Sequence, residues 1–122
     1  MSHVVQVKTR VKDVAALGLA TQRLQLPEPT YGTAKFFDGS ATGWRVSLPG
    51  WRYDAVFDVE SGKVDFDDYG GRWGERAELN RLIQAYGVEK AKLEARKKGY
   101  STSERQLQDG SIRLSIQVGG TA

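Results

Sequence analysis

The sequence predicts an α+β fold: a two-layer sandwich in which a mainly antiparallel sheet carries two helices on one face, in the order β-α-β-β-β-β-α-β-β. Three observations lead there. Several short runs alternate apolar with polar residues, and period two marks half-buried strands. Two longer stretches repeat apolar residues at helical spacing. Between these stretches the strand-like runs are joined by tight turns, which connect antiparallel neighbours. Strands with one apolar face and helices with one apolar stripe bury each other by stacking in two layers.

The first run, His3–Val11, sets Val5, Val7 and Val11 on one side and Gln6, Lys8 and Arg10 on the other. Asp13 follows as an N-cap, and Val14, Leu17 and Leu24 fall on one helical face. Gly18 weakens this helix by roughly 1 kcal/mol relative to Ala. Pro27 and Pro29 end it, because proline cannot continue the hydrogen-bond ladder.

A meander comes next. Thr30–Phe37 is strand-like and Asp38-Gly39 begins a turn. Trp44, Val46 and Leu48 alternate with Arg45 and Ser47, which turns Trp44 toward the core. Pro49-Gly50 suits a type II turn, proline fixing φ and glycine taking the positive φ. Tyr53, Ala55, Phe57 and Val59 alternate with Asp54, Val56, Asp58 and Glu60. Ser61-Gly62 reads as a two-residue hairpin loop into Lys63–Phe66.

The glycine-rich stretch Gly70-Gly71-Arg72-Trp73-Gly74 precedes the second helix, with Glu75 and Glu78 in its first turn, where carboxylates complement the dipole. Leu79, Leu82, Ile83, Tyr86 and Leu93 form its apolar stripe. Lys90–Glu94 and Glu94–Lys98 are i,i+4 pairs, and Gly99 suits the C′ position. Asp109-Gly110 turns a terminal hairpin whose second strand alternates Ile112, Leu114, Ile116 and Val118 with Arg113, Ser115 and Gln117. This reading puts Leu114 and Tyr86 in the core. Gly119-Gly120-Thr121-Ala122 reads as a frayed tail, leaving residues 1–118 as one folded domain.

Composition narrows the function classes. The chain has 122 residues, 39% of them hydrophobic, with four Phe, five Tyr and three Trp to supply burial. It contains no cysteine, which excludes disulfides, thiolate catalysis, iron–sulfur ligation and cysteine zinc sites. Met1-Ser2-His3 does not open a secretory signal, and no stretch approaches the roughly 18 apolar residues of a membrane span. A cytoplasmic location is the expectation. The net charge of +3 is mildly basic, and its densest run, Arg96-Lys97-Lys98, sits where cations favour a helix C-terminus.

No catalytic, metal or cofactor site emerges. His3 is the one histidine, near the terminus, where a triad would need that terminus pinned over a cleft, and it reads as an exposed or strand-edge residue. Asp65-Phe66-Asp67-Asp68 fails as a calcium loop, since the twelfth position from Asp65 is Arg76 rather than Glu. Alternation instead places Asp65 and Asp67 on a solvated face. Gly70–Gly74 lacks the Lys-Ser/Thr pair of a phosphate loop, and Glu75 and Glu78 would repel an anion there. Trp44-Arg45 and Trp51-Arg52-Tyr53 could stack nucleic-acid bases. Trp73, between Arg72 and Arg76 on a loop that its glycines free to move, has the residue types of interface hot spots. Arg72, Trp73 and Arg76 are therefore the candidate partner-binding residues. The alternative for Trp73 is closure of the sheet edge or core.

Several short segments carry a resemblance: Met1-Ser2-His3, Lys8-Thr9 and Asp13; Gly43-Trp44-Arg45 and Tyr53-Asp54; Leu82, Gln84-Ala85-Tyr86 and Lys90; Gly99-Tyr100 and Asp109-Gly110-Ser111-Ile112-Arg113-Leu114. Together they resemble the cyanobacterial and plastid hypothetical reading-frame-thirty-five (Ycf thirty-five-like) family, a domain of unknown function with bacterial relatives. The acid- and glycine-rich segment Asp58–Glu75 and the Gly119-Gly120 tail depart from plastid members and look like a bacterial relative. The resemblance implies no activity, cofactor or catalytic residue. It implies protein partners, an AAA-type ATPase or small proteins of neighbouring genes. The expected function is a non-catalytic protein-interaction module or adaptor. The alternatives are a nucleic-acid-binding module and an enzyme using carboxylates such as Asp65, Asp67 or Glu75.

Overall fold

In a computed structural model that describes residues 4–119, alternating valines build the first strand, β1 (Val5–Lys8). There follow α1 (Val14–Arg23), β2 (Thr30–Lys35), β3 (Ser40–Val46), β4 (Ala55–Asp58) and β5 (Lys63–Phe66). A 3-10 turn, Tyr69–Gly71, leads to α2 (Arg76–Lys97) and the hairpin strands β6 (Ser101–Gln106) and β7 (Ile112–Gln117). The element order matches the sequence reading, and the molecule is α+β with an antiparallel sheet and two helices among the described residues. His3 and residues 120–122, assigned above to the first strand and to a frayed tail, lie outside the described residues.

Five strands form one antiparallel sheet in the order β1-β5-β4-β3-β2. Its register lines up Val7, Val64, Phe57, Trp44 and Tyr31 on one face. Beside them stand Val5, Phe66, Ala55 and Val46, and the buried residues of α1 (Ala16, Leu17, Ala20) and α2 (Leu79, Leu82, Ala85, Tyr86) pack onto this face. Burying each large apolar side chain contributes about 1.5–3 kcal/mol. Trp44 joins this core half-buried, on the side that alternation assigned.

The opposite face is not bare. Ala34, Phe36 and Val56 are buried there against Val4, Ala41 and Tyr53. Val56 thus departs from the polar side to which period two assigned it: β4 is covered on both faces. Gly43 lies in this layer, and a Cβ there would come within 2.6 Å of the Phe57 carbonyl, so only glycine lets the strands approach so closely.

Caps and turns follow the sequence with two adjustments. Asp13 Oδ1 accepts the N–H groups of Ala15 and Ala16, and Asp13 Oδ2 also receives Lys90 at 2.9 Å. The Lys90 hydrogen bond is the main cause holding the Asp13 carboxyl below its usual range. The Tyr86 hydroxyl accepts the N–H groups of Lys12 and Asp13, both at 3.0 Å, so α2 fixes the entry of α1. Both helices end with the N–H of the second residue past the cap bonded back to the helix: Leu26 to Thr21 and Tyr100 to Ala95. Gly99 supplies the left-handed residue for α2, whereas Gln25 must adopt it for α1. Pro49-Gly50 turns as expected, with Gly50 at φ 75° and Trp51 N–H on the Leu48 carbonyl.

The β4–β5 connection is longer than a two-residue loop. Asp58 pairs with Lys63, and Val59–Gly62 lies between them, organised by Asp58 accepting from Glu60 N–H and Ser61 Oγ. The β6–β7 connection runs from Leu107 to Ser111 and contains Asp109-Gly110.

The terminal hairpin stands apart as its own two-stranded sheet packed on α2. Leu114 is half-buried, not core, because only part of its face reaches α2. The hairpin is anchored by an ionic cluster instead: Glu104 meets Arg23 and Lys92, and Arg23 also meets Glu89 at 3.0 Å. Arg23 foremost, then Lys92, holds the Glu104 carboxyl down at about 2, from an ordinary 4.5.

Candidate functional site

β5 stops at Phe66, and there alternation stops governing which way side chains point. Asp65, still in the strand, accepts a hydrogen bond from Gln6 Nε2 at 2.8 Å. The next two residues turn inward. Asp67 is 0% exposed and Asp68 2% exposed, against the expectation that Asp67 shares a solvated face. The Phe37 N–H donates to Asp67 Oδ2 at 3.2 Å, while Asp67 Oδ1 is buried with no hydrogen-bond partner. A buried carboxylate oxygen left unsatisfied costs stability.

Asp68 organises the loop that follows. Its carbonyl accepts from Gly71 N–H and Trp73 N–H, at 2.9 and 3.0 Å. Its carboxylate accepts from Arg76 Nε at 3.2 Å. Tyr69, Gly70 and Gly71 all have positive φ, at 45°, 63° and 99°. Glycine adopts this region freely, but Tyr69 is strained there by about 1 kcal/mol or more. Arg52 N–H then donates to the Trp73 carbonyl at 2.8 Å. The glycines therefore serve a fixed reverse turn, tied down on both sides of Trp73, rather than an open excursion of the chain.

Trp73 is half-buried and is the hub of three ring contacts: Tyr69 at 4.6 Å, Phe37 at 5.4 Å and Tyr53 at 5.7 Å between centroids. Arginines cover these rings. The Arg52 guanidinium lies 4.9 Å from the Trp73 ring and Arg72 lies 5.1 Å from Tyr69. Arg76 stands over Phe66 at 4.4 Å. Behind the loop, the Trp51 ring lies on Gly74, where a Cβ would come within 2.5 Å, and Trp51 Nε1 donates to the Glu75 carbonyl. Glu75 occupies the N-cap position of α2 without capping it through its side chain.

Of the three residues singled out by sequence, Arg72 and Trp73 come together on the Tyr69 ring, whereas Arg76 is turned onto Asp68 and the core ring Phe66. Sequence reasoning missed Phe37, Tyr53, Tyr69 and Arg52 as their neighbours. Arg52-Tyr53 was visible as a basic–aromatic pair, but nothing local announced that β4 and the segment after β2 would bring these rings to Trp73. Phe37 is 60% exposed, and Arg52 and Arg72 are exposed, so the cluster presents an aromatic surface edged by cations.

The carboxylates considered for catalysis do not converge: Asp65 is engaged in the sheet, Asp67 is enclosed and Glu75 is exposed. Among the described residues no group of three or more His, Cys, Asp or Glu side chains could hold a metal ion. No helix among them is long and apolar enough to cross a membrane. An open cleft of about 600 Å³ between α1, α2 and the hairpin turn is lined by Arg23, Arg81, Gln84, Gln106 and Asp109, with Ile112 at its wall. No protein-family model, curated protein or solved structure matches the chain.

Proposed function

We propose that the protein is a non-catalytic interaction module or adaptor, and that it docks a protein partner on the aromatic–arginine surface around Trp73. The observation that carries this reading is the Trp73 hub itself, with Tyr69, Phe37 and Tyr53 about it and Arg52 and Arg72 stacked at its edge. Tryptophan, tyrosine and arginine dominate interface energetics, and a surface already held in place loses little entropy on binding. The buried Asp67 and Asp68 support the reading by fixing Phe37 N–H, the turn and Arg76 in place. Arginine-edged rings select an acidic segment that offers an apolar side chain. Membership of the Ycf thirty-five-like family, bacterial origin, and an AAA-type ATPase or small neighbouring-gene protein as partner belong to the same proposal.

The test reverses charge at exposed positions that carry little of the fold. An Arg52→Glu, Arg72→Glu double variant should melt within a few degrees of wild type. It should also lose the partners that tagged wild-type protein recovers from its host. Undiminished recovery would remove this surface from consideration. Fluorescence anisotropy with single-stranded oligonucleotides separates the nucleic-acid alternative. Phosphate contacts alone give weak binding that fades steeply with salt. Tight, sequence-selective binding at high salt, abolished by the same variant, would replace the protein-docking reading.

A further inference from the structure

Among the described residues there are four strand edges, and three are guarded. β1 is four residues long and runs into Lys8, Arg10 and Lys12; β2 follows Pro29 and carries Lys35; β6 reads Ser-Thr-Ser-Glu-Arg-Gln. Short length, lysine, proline and polar sequence are the devices by which proteins prevent edge-to-edge pairing. β7 has none of them. It is six residues long, its one charged residue is Arg113, and its outer edge pairs with no strand among the described residues.

Its apolar side also runs past its support. Ile112 and Leu114 are half-buried, but Ile116 on the same face is 45% exposed, and Val118, one residue past the strand, is 70% exposed. The backbone is equally unspent. Leu107 N–H donates to the Ser111 carbonyl at 2.8 Å, and from that closing pair the antiparallel alternation turns Arg113, Ser115 and Gln117 toward β6. The N–H and C=O groups of Ile112, Leu114 and Ile116 therefore face outward.

We propose that β7 is a self-association edge, along which two copies of the chain pair antiparallel to form a four-stranded sheet. The register follows from charge and burial. Pairing centred on Arg113 would set two arginines opposite each other, which is destabilising. Pairing centred on Leu114 would leave Val118 without a neighbour. Pairing centred on Ser115 sets Ile112 opposite Val118 of the second copy, Leu114 opposite Ile116, and Arg113 opposite Gln117. That register covers both overhanging side chains and opposes no like charges. The two-fold axis stands perpendicular to the sheet, so both α2 helices back the same apolar face, as an isologous contact requires.

Sedimentation across a concentration series tests this. Wild type should pass from monomer to dimer, and an Ile116→Lys, Val118→Lys double variant should associate about a hundredfold more weakly while melting like wild type. Ser115→Cys sharpens the register, because the native chain has no cysteine. In the proposed pairing Ser115 meets itself in a non-hydrogen-bonded pair with Cα atoms about 4.5 Å apart, within disulfide range. Mild oxidation should cross-link Ser115→Cys quickly and Arg113→Cys hardly at all. A monomer throughout the micromolar range would overturn the proposal. So would a dimer that survives the double lysine variant, or equal cross-linking at both cysteine positions.

Discussion

The strand pair β4–β5 and the hairpin β6–β7 are written in the same alternating code, yet they end in different surroundings. Phe57, Val64 and Phe66 are fully enclosed by two helices, and Val56 is buried on the reverse face as well. Leu114 and Ile116 have the same spacing and comparable size but keep much of their surface. Period two specifies which side chains share a face, while tertiary neighbours decide how much of that face is removed from water. The enclosed sheet rests on apolar burial; the hairpin depends on Arg23, Glu89, Lys92 and Glu104.

The largest expected effect tests that contrast directly. Phe57→Ala should cost about 3–5 kcal/mol in denaturant unfolding, through lost burial and the cavity it leaves. Leu114→Ala should cost about 1 kcal/mol, since a partly wet side chain has less to lose. Equal losses would erase the distinction between the two regions.

Tyr86→Phe comes next. It leaves the ring in the core but strips the acceptor from Lys12 N–H and Asp13 N–H. A loss of about 1–3 kcal/mol is expected. Unchanged stability would mean that water replaces the hydroxyl and that the junction of β1 and α1 is not held from α2.

Glu104→Gln should loosen the hairpin alone, by about 1 kcal/mol after allowance for screening. Amide exchange should quicken at Ser103 and Ser115, whose N–H groups face the partner strand, and stay slow at Phe57 and Val64. The pH dependence has a definite sign. The folded carboxyl lies at about 2, below its ordinary 4.5. The bridge therefore contributes fully above about 4.5 and is lost as pH falls through about 2. Hairpin exchange that is insensitive to pH across that window would show that the ionic cluster is not what anchors it.

The smallest effect belongs to Arg105→Ala, on the polar outer side of the hairpin, where a change within about 0.5 kcal/mol is expected. A larger loss would indicate that this side, too, is covered in solution.

Much of the architecture was legible because its signals are local. Asp13 caps α1, Gly99 ends α2 and Pro49-Gly50 turns the chain through chemistry confined to a few residues. What stayed hidden depends on distant partners. Asp67 looked solvated because strand alternation was carried one residue beyond Phe66, where β5 had already ended. Val56 looked polar-facing because nothing near it revealed that Phe36 and Tyr53 would cover the second side of the sheet. The sequence sets Trp73 between Arg72 and Arg76, but the guanidinium over its ring belongs to Arg52, and its aromatic neighbours come from the segment before β4 and from the residue following Phe36, which no local pattern could bring together.

The placement of β1 also sets an order of assembly. The first of the described strands pairs with β5, and the Gln6 side chain reaches Asp65 across 59 residues. During synthesis Val5 and Val7 must wait for about 60 further residues before their neighbour exists, while β6 and β7 close through a loop that forms within microseconds. Non-local pairing of this kind slows folding and prolongs the life of an uncovered apolar strand. The nascent β1 is thus exposed to aggregation until Lys63–Phe66 emerges to cover it.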